Sequence, residues 1–242
     1  MSVTNASSGT NVHEIADGIY RINTPLDAVP GGFSFNQYLV VDDEPLLFHT
    51  GPRKLFPLVL EAVESVMPAQ RLRHLALSHF ESDECGSLNQ WLAIAPQAAP
   101  MCSRIAAMVS VNDFADRPAR AMADGEIAHL GRHALKWIDA PHLPHGWENG
   151  FLMDTVTGTL FCGDLFTQGG SGERALTEDD ILDPSEAFRK PMDYFAHAAN
   201  TGMLLERLAC EAPGTLACMH GSAWRGDGAN LLRALGERLA AG

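Results

Sequence analysis

The chain has 242 residues, 46% of them hydrophobic and 19% charged, enough for one large domain with a substantial core or two small ones. Its 17 basic and 30 acidic residues leave a formal net charge of −13, which disfavours nucleic acid or an anionic membrane surface as partner and is compatible with a cation site. The five cysteines (85, 102, 162, 210, 218) are odd in number and form no C-x-x-C pair, so neither a disulfide framework nor a zinc ribbon is expected.

The first residues, Met1 to Asn11, are polar and lack a basic stretch followed by an apolar one. Residues 1–10 are expected to be loosely ordered and 11–242 to form a single domain. No run reaches the roughly 18 apolar residues of a membrane span, and a cytoplasmic location is expected. Gly18 to Asn23, Phe33 to Val41 and Leu46 to His49 read as an opening series of strands, the last two joined by a turn at Asp42-Asp43-Glu44-Pro45. Leu55 to Val66 has helical spacing of apolar residues, with Pro57 in its first turn. Leu72 to Leu77 is the next strand, and Ser87 to Ile94 a short helix ended by Pro96. A second strand series follows: Ile127 to Leu130, Leu135 to Ile138, and a hairpin of Gly150 to Met153 with Thr159 to Cys162 turned at Thr157-Gly158. Pro191 to Leu208 reads as a long helix, Thr215 to Met219 as a strand and Ala229 to Leu239 as a closing helix. Two strand-rich halves, each followed by helices, suggest an α/β (α+β) fold: two packed sheets with helices outside, an αββα sandwich.

The run His79-Phe-Glu-Ser-Asp-Glu84 places four metal-capable side chains in six residues directly after an apolar strand. Alternate residues 79, 81 and 83 can project to one side, so His79 and Glu81 could share one metal while Asp83 and Glu84 reach a second. Alternatively Asp83 and Glu84 simply occupy the first turn of a helix, where negative charge is favoured. Three further ligand types stand at strand ends: His145 before the hairpin, Asp164 after Thr159-Leu-Phe-Cys-Gly163, and His220 after Thr215-Leu-Ala-Cys-Met219.

The pattern H-x-E-x-D, then a distant His, an Asp nineteen residues on and a late His-Gly resembles the flavodiiron proteins, the diiron branch of the metallo-β-lactamase superfamily. Phe35-Asn-Gln-Tyr-Leu-Val40, Leu46-Leu-Phe-His-Thr-Gly51, His145-Gly-Trp147, Leu160-Phe-Cys-Gly-Asp164 and His220-Gly-Ser-Ala-Trp-Arg225 are similar to its other motifs, so the resemblance spans nearly the whole chain. It implies that His79, Glu81 and His145 bind a first iron, Asp83 and His220 a second, and that Asp164 bridges them. Imidazole and carboxylate donors suit iron, with zinc or manganese as alternatives. Glu81 stands where hydrolytic relatives have a second histidine and use zinc.

Two positions depart from the family pattern. Glu84 replaces the usual histidine and could ligate the second metal or face solvent. His49 replaces the Asp of Asp-Thr-Gly and could orient a ligand from behind or pack in the core. Tyr194 resembles a tyrosine near the family's metal site, and His197 is an alternative group one turn later. His142 is a weaker alternative to His145. The expected function is binding of O2 or NO at two irons, as a sensor or as a slow reductase fed by a separate electron-donor protein, because no Gly-rich loop for a flavin is apparent. A metal-dependent hydrolase of an ester, thioester or lactone is the alternative. A homodimer is a candidate assembly.

Overall fold

The computed structural model describes residues 2–27 and 29–241. Its first sheet runs in chain order through β1 (Ser2–Asn5), β2 (Thr10–Ala16), β3 (Ile19–Leu26), β4 (Phe33–Val40), β5 (Leu46–Phe48), β6 (His74–Ala76), β7 (Ala99–Ser103) and β8 (Arg120–Met122). Strands β1 to β5 pair antiparallel, and β5 to β8 pair parallel. Parallel neighbours need crossovers, which here are the helix Phe56–Glu64, the helix Leu88–Ile94 and a helical run between residues 104 and 114. The second sheet comprises β9 (Ile127–His129), β10 (Ala134–Asp139), β11 (Gly150–Asp154), β12 (Thr159–Phe161), β13 (Leu176–Thr177), β14 (Thr215–Ala217) and β15 (Ala223–Arg225), in the order β13-β15-β14-β12-β11-β10-β9.

Strand alternation sorts the side chains into layers. On β5, Leu47 faces Val59, Val63 and Trp91 of the outer helices, while its neighbours Leu46 and Phe48 point between the sheets. On β12 and β14, Phe161 and Ala217 point inward, while Leu160 and Leu216 pack beneath Leu204, Leu208, Leu232 and Leu235 of the helices Thr201–Cys210 and Gly228–Ala240. The result is the expected four-layer αββα sandwich.

Trp137 shows how tightly the layer between the sheets is packed. It is fully buried, its Nε1 donates to Asp139 Oδ1 at 2.7 Å, and a Cβ on Gly150 would lie 2.3 Å from its ring. The missing side chain lets the start of β11 approach closely enough for Gly150 N to donate to Ser78 O at 3.0 Å, stitching the two sheets together beside His79. Trp137→Ala is expected to cost about 3–5 kcal/mol. Thermal unfolding should show a midpoint lowered by roughly 6–20 °C for a domain of this size.

The segment expected to be loose contains an edge strand, since Ser2 and Val3 pair with Val12 and Asn11 of β2. The long helix expected from Pro191 to Leu208 is two helices, Leu182–Met192 and Thr201–Cys210. The first ends where Asp193 turns left-handed (φ 48°), and His197 is left-handed as well (φ 50°). The intervening segment crosses towards the His145 loop, where Ala196 N donates to Pro144 O at 2.7 Å. β7, β8 and the helical run after β7 are additions to the elements read from sequence.

Candidate metal centre

Six side chains converge where strand ends of the two sheets meet. His79 and Glu81 follow β6, His145 lies in the β10–β11 loop, Asp164 follows β12, and His220 follows β14. Asp83 lies in a single helical turn, Ser82–Cys85. The C-terminal ends of parallel strands are where the chain leaves hydrogen-bonded structure, so side chains there are free to converge in the crevice beyond the sheet.

Ligand atoms of His79, Glu81, His145 and Asp164 all lie within 4.8 Å of one another. His145 Nε2 is 3.3 Å from Glu81 Oε1 and 3.4 Å from Asp164 Oδ2, and His79 Nε2 is 3.7 Å from both Glu81 Oε2 and Asp164 Oδ2. A second group faces the other carboxylate oxygen: His220 Nε2 lies 3.2 Å from Asp164 Oδ1 and 3.6 Å from Asp83 Oδ2. Asp164 therefore offers one oxygen to each group.

Whether a metal suits these residues can be judged from the donors themselves. His79 Nε2 and both ring nitrogens of His145 are buried without a hydrogen-bond partner, which is costly unless something else satisfies them. Donors around an ion with bonds of about 2.0–2.2 Å stand about 3–3.5 Å apart, close to the spacings here. The electrostatics point the same way. Burial raises the Asp83 carboxyl to about 6, with the neighbouring Asp164 charge reinforcing it. Burial opposes protonation of His79, His145 and His220, yet the surrounding carboxylates hold all three rings above the ordinary histidine value. Hydrogen bonds from His145 and His79 push Glu81 well below the carboxylate range. The cluster thus draws positive charge to its centre, and its donor set fits a pair of cations.

The imidazoles are also oriented from behind. His220 Nδ1 lies 2.9 Å from Ser34 O, turning Nε2 towards Asp164. Asn36 Nδ2 donates to Cys218 O and Gly221 O, both at 2.8 Å, and the buried Arg21 donates to Gly221 O at 2.7 Å, so the His220 turn is braced on both sides.

Glu84 sits behind His79 rather than beside the other donors. Fully buried, it accepts from Ser78 N at 2.9 Å and His79 N at 2.8 Å through Oε2, while Oε1 faces His79 Nδ1 at 2.9 Å and takes the Ser78 hydroxyl. It neither joins the group around the potential ion nor faces solvent. His49 completes this layer, with Nε2 3.1 Å from Ser78 Oγ and 3.3 Å from Glu84 Oε1. Burial drives the His49 ring down to about 4, so it is neutral near pH 7. Its backbone is left-handed (φ 62°), a conformation that costs a β-carbon residue about 1–2 kcal/mol and is held by these contacts.

Tyr194 stands on the segment between the two helices, its ring 6.0 Å from that of His145, and its hydroxyl donates to Asp164 O at 3.1 Å. His197 turns away: its side chain is 61% exposed and Nε2 lies 2.6 Å from Asp193 Oδ1. His142 is exposed, leaving His145 as the histidine of that loop at the centre. Sequence reasoning did not single out Ser78, Ser34 or Glu148. Glu148 is buried and accepts from Phe80 N at 3.0 Å, pinning the chain just after His79.

Residues 33–221, which include all six converging side chains, match the family model described as "ODP family beta lactamase". The chain belongs to this family. A nitric oxide reductase of Moorella thermoacetica is 23% identical over 239 residues, which cover 91% of this chain and 59% of that protein. The anaerobic nitric oxide reductase flavorubredoxin of Salmonella arizonae is 26% identical over 207 residues, 80% of this chain and 42% of that one. The chain thus spans about half or less of most of the curated relatives it matches. In structure, the flavodiiron core of Flv1 from Synechocystis superposes with a TM-score of 0.79 at 21% identity, covering 96% of this chain and 61% of that one. The 1–254 fragment of a diflavin flavoprotein from Nostoc gives 0.80 at 18% identity and covers 96% of both chains. No helix among the described residues is long and apolar enough to cross a membrane.

Proposed function

We propose that this ODP-family chain holds two iron ions and binds O2 or NO at that site, as a sensor or as a slow reductase supplied by a separate electron-donor protein. His79, Glu81 and His145 would hold the first ion and Asp83 and His220 the second, with Asp164 offering one oxygen to each. The observation that carries this reading is the division of Asp164, with Oδ2 towards His79 and His145 and Oδ1 towards His220. A pair of iron ions bound there would supply Lewis acidity and electrons for holding and reducing a diatomic ligand. The chain's own contribution is placement: Glu84 and Ser34 fix which nitrogen of His79 and His220 faces inward, and Tyr194 ties down the Asp164 strand end. Iron is favoured over zinc by the three carboxylates among the six donors, which suit a harder ion. That flavodiiron and nitric oxide reductase proteins are the recurrent relatives supports the choice of ligand.

The test is anaerobic loading with Fe(II), metal quantification, and mixing with O2 or NO in a stopped-flow spectrometer. Two irons per chain and a new visible absorption on mixing are expected. Two zincs per chain purified from an unsupplemented host, with turnover of esters or lactones, would instead support the hydrolytic alternative.

A further inference from the structure

The cavity over the metal centre, lined by five of the six donors (Glu81, Asp83, His145, Asp164 and His220), has a volume of about 720 Å³. A diatomic ligand needs roughly the 30 Å³ share of a water molecule, whereas cavities of about 300–1,000 Å³ hold organic ligands. Most of this space is therefore unused by the proposed reaction. Its wall is aromatic and continuous with the site: Phe33 stacks on His220 with ring centroids 4.4 Å apart and on Phe188 at 5.4 Å, and Phe35 meets Phe33 edge-on at 5.5 Å. Leu26 and Leu55 add aliphatic surface, and Met192, 61% exposed, stands among the lining residues.

One lining residue breaks this apolar character. Lys54 is exposed in the middle of the short helical turn Arg53–Leu55 that follows β5, and it makes no ion pair or side-chain hydrogen bond among the described residues. Among the described residues it is the only lysine or arginine lining the cavity, in a chain where acidic residues outnumber basic ones by 30 to 17. The floor has the same sign when the proposed ions are present, because the three carboxylates Glu81, Asp83 and Asp164 leave two divalent cations with one net positive charge. An apolar wall bounded by positive charge below and beside it selects an amphipathic anion.

We propose that this cavity binds an apolar organic carboxylate, its hydrocarbon body against Phe33 and Phe188 and its charged end beside Lys54. Such an occupant covers His145 and Tyr194 from solvent and sets how readily a diatomic ligand reaches Asp164. The site goes beyond the iron reading, and the Lys54 contribution does not need the ions.

Decanoate, decanol and decyltrimethylammonium serve as probes, titrated calorimetrically into the metal-loaded protein and into the same protein after chelation. Decanoate is expected to bind tightest in the metal-loaded protein; after chelation Glu81, Asp83 and Asp164 leave the floor negative, and the contribution of Lys54 is read there from Lys54→Met alone. Lys54→Met, a change on the surface, should weaken decanoate by about tenfold and leave decanol unchanged, as loss of one charge-assisted contact implies. Phe188→Ala should weaken decanoate and decanol alike. Equal binding of decanoate and decanol to the metal-loaded protein overturns the proposal, and so does unaltered decanoate affinity in Lys54→Met in either form, the latter whether or not iron binds. Preference of the metal-loaded protein for the cationic probe overturns it as well.

Discussion

Glu84→Gln is expected to leave the fold intact and to lower metal affinity at the His79 side by about 10–100-fold, the usual effect of losing a partner behind a ligating histidine. The two carboxylate oxygens have different jobs. Oε2 takes the backbone N–H groups of Ser78 and His79, while Oε1 faces His79 Nδ1. A glutamine can place its carbonyl in the first position and keep both backbone bonds. Its NH2 then meets Nδ1, which must give up its proton to accept. The remaining proton moves to Nε2, the nitrogen that faces Glu81 and Asp164, and that nitrogen can no longer donate a lone pair to an ion. Metal titration followed by competition with a chelator reads the affinity, and nitrogen chemical shifts of the His79 ring read the tautomer. Unchanged affinity together with an unchanged tautomer would show that Glu84 does not orient His79. Glu84→Ala is a harsher change. It strands two buried N–H groups, a hydroxyl and an imidazole, and is expected to destabilise the fold by about 3–5 kcal/mol.

Glu84 also marks the limit of what the sequence discloses. His79, Glu81, His145, Asp164 and His220 were legible because each interrupts or follows an apolar run at a strand end, where a polar side chain has no packing reason to be. Asp83 and Glu84 are neighbours in one helical turn, so about 100° of rotation separates them and they must face different ways. Which one faces the centre depends on the unpaired N–H groups at the end of β6, and no spacing rule reports those. Ser34 is hidden for another reason: its part is played by a backbone carbonyl, which every residue has, across 186 positions of sequence. The placement of His197 failed through the helix assumption. Pairing it with Tyr194 required a continuous helix, and the left-handed backbone at Asp193 and His197 breaks it. β7 was missed because Pro100 lies within it, and proline usually argues against a strand inside a sheet. The sandwich itself was readable because the alternation of inward and outward residues survives in β5, β12 and β14, however short those strands are.

Asp164→Asn separates the two-ion arrangement from a single-ion one. An asparagine of the same shape keeps one oxygen and replaces the other by an NH2 group that cannot ligate. Whichever way the amide sits, one of the two donor groups loses its shared oxygen and faces hydrogens instead. The affinity of that ion is expected to fall by more than the roughly 100-fold that follows loss of an outer partner, so iron content should drop from two per chain to one at most. The change in visible absorption on mixing with O2 or NO should disappear with it. Asp83→Asn provides the contrast. Among the described histidines Asp83 pairs only with His220, 3.6 Å away, and it is a quarter exposed, so its loss should release the second ion and leave the one held by His79, Glu81, His145 and Asp164. Stoichiometry by elemental analysis, read beside folding by circular dichroism, distinguishes these outcomes. Two irons retained in folded Asp164→Asn would show that the carboxylate does not span two ions, and that the two sets of donors are independent sites that happen to touch at Asp164.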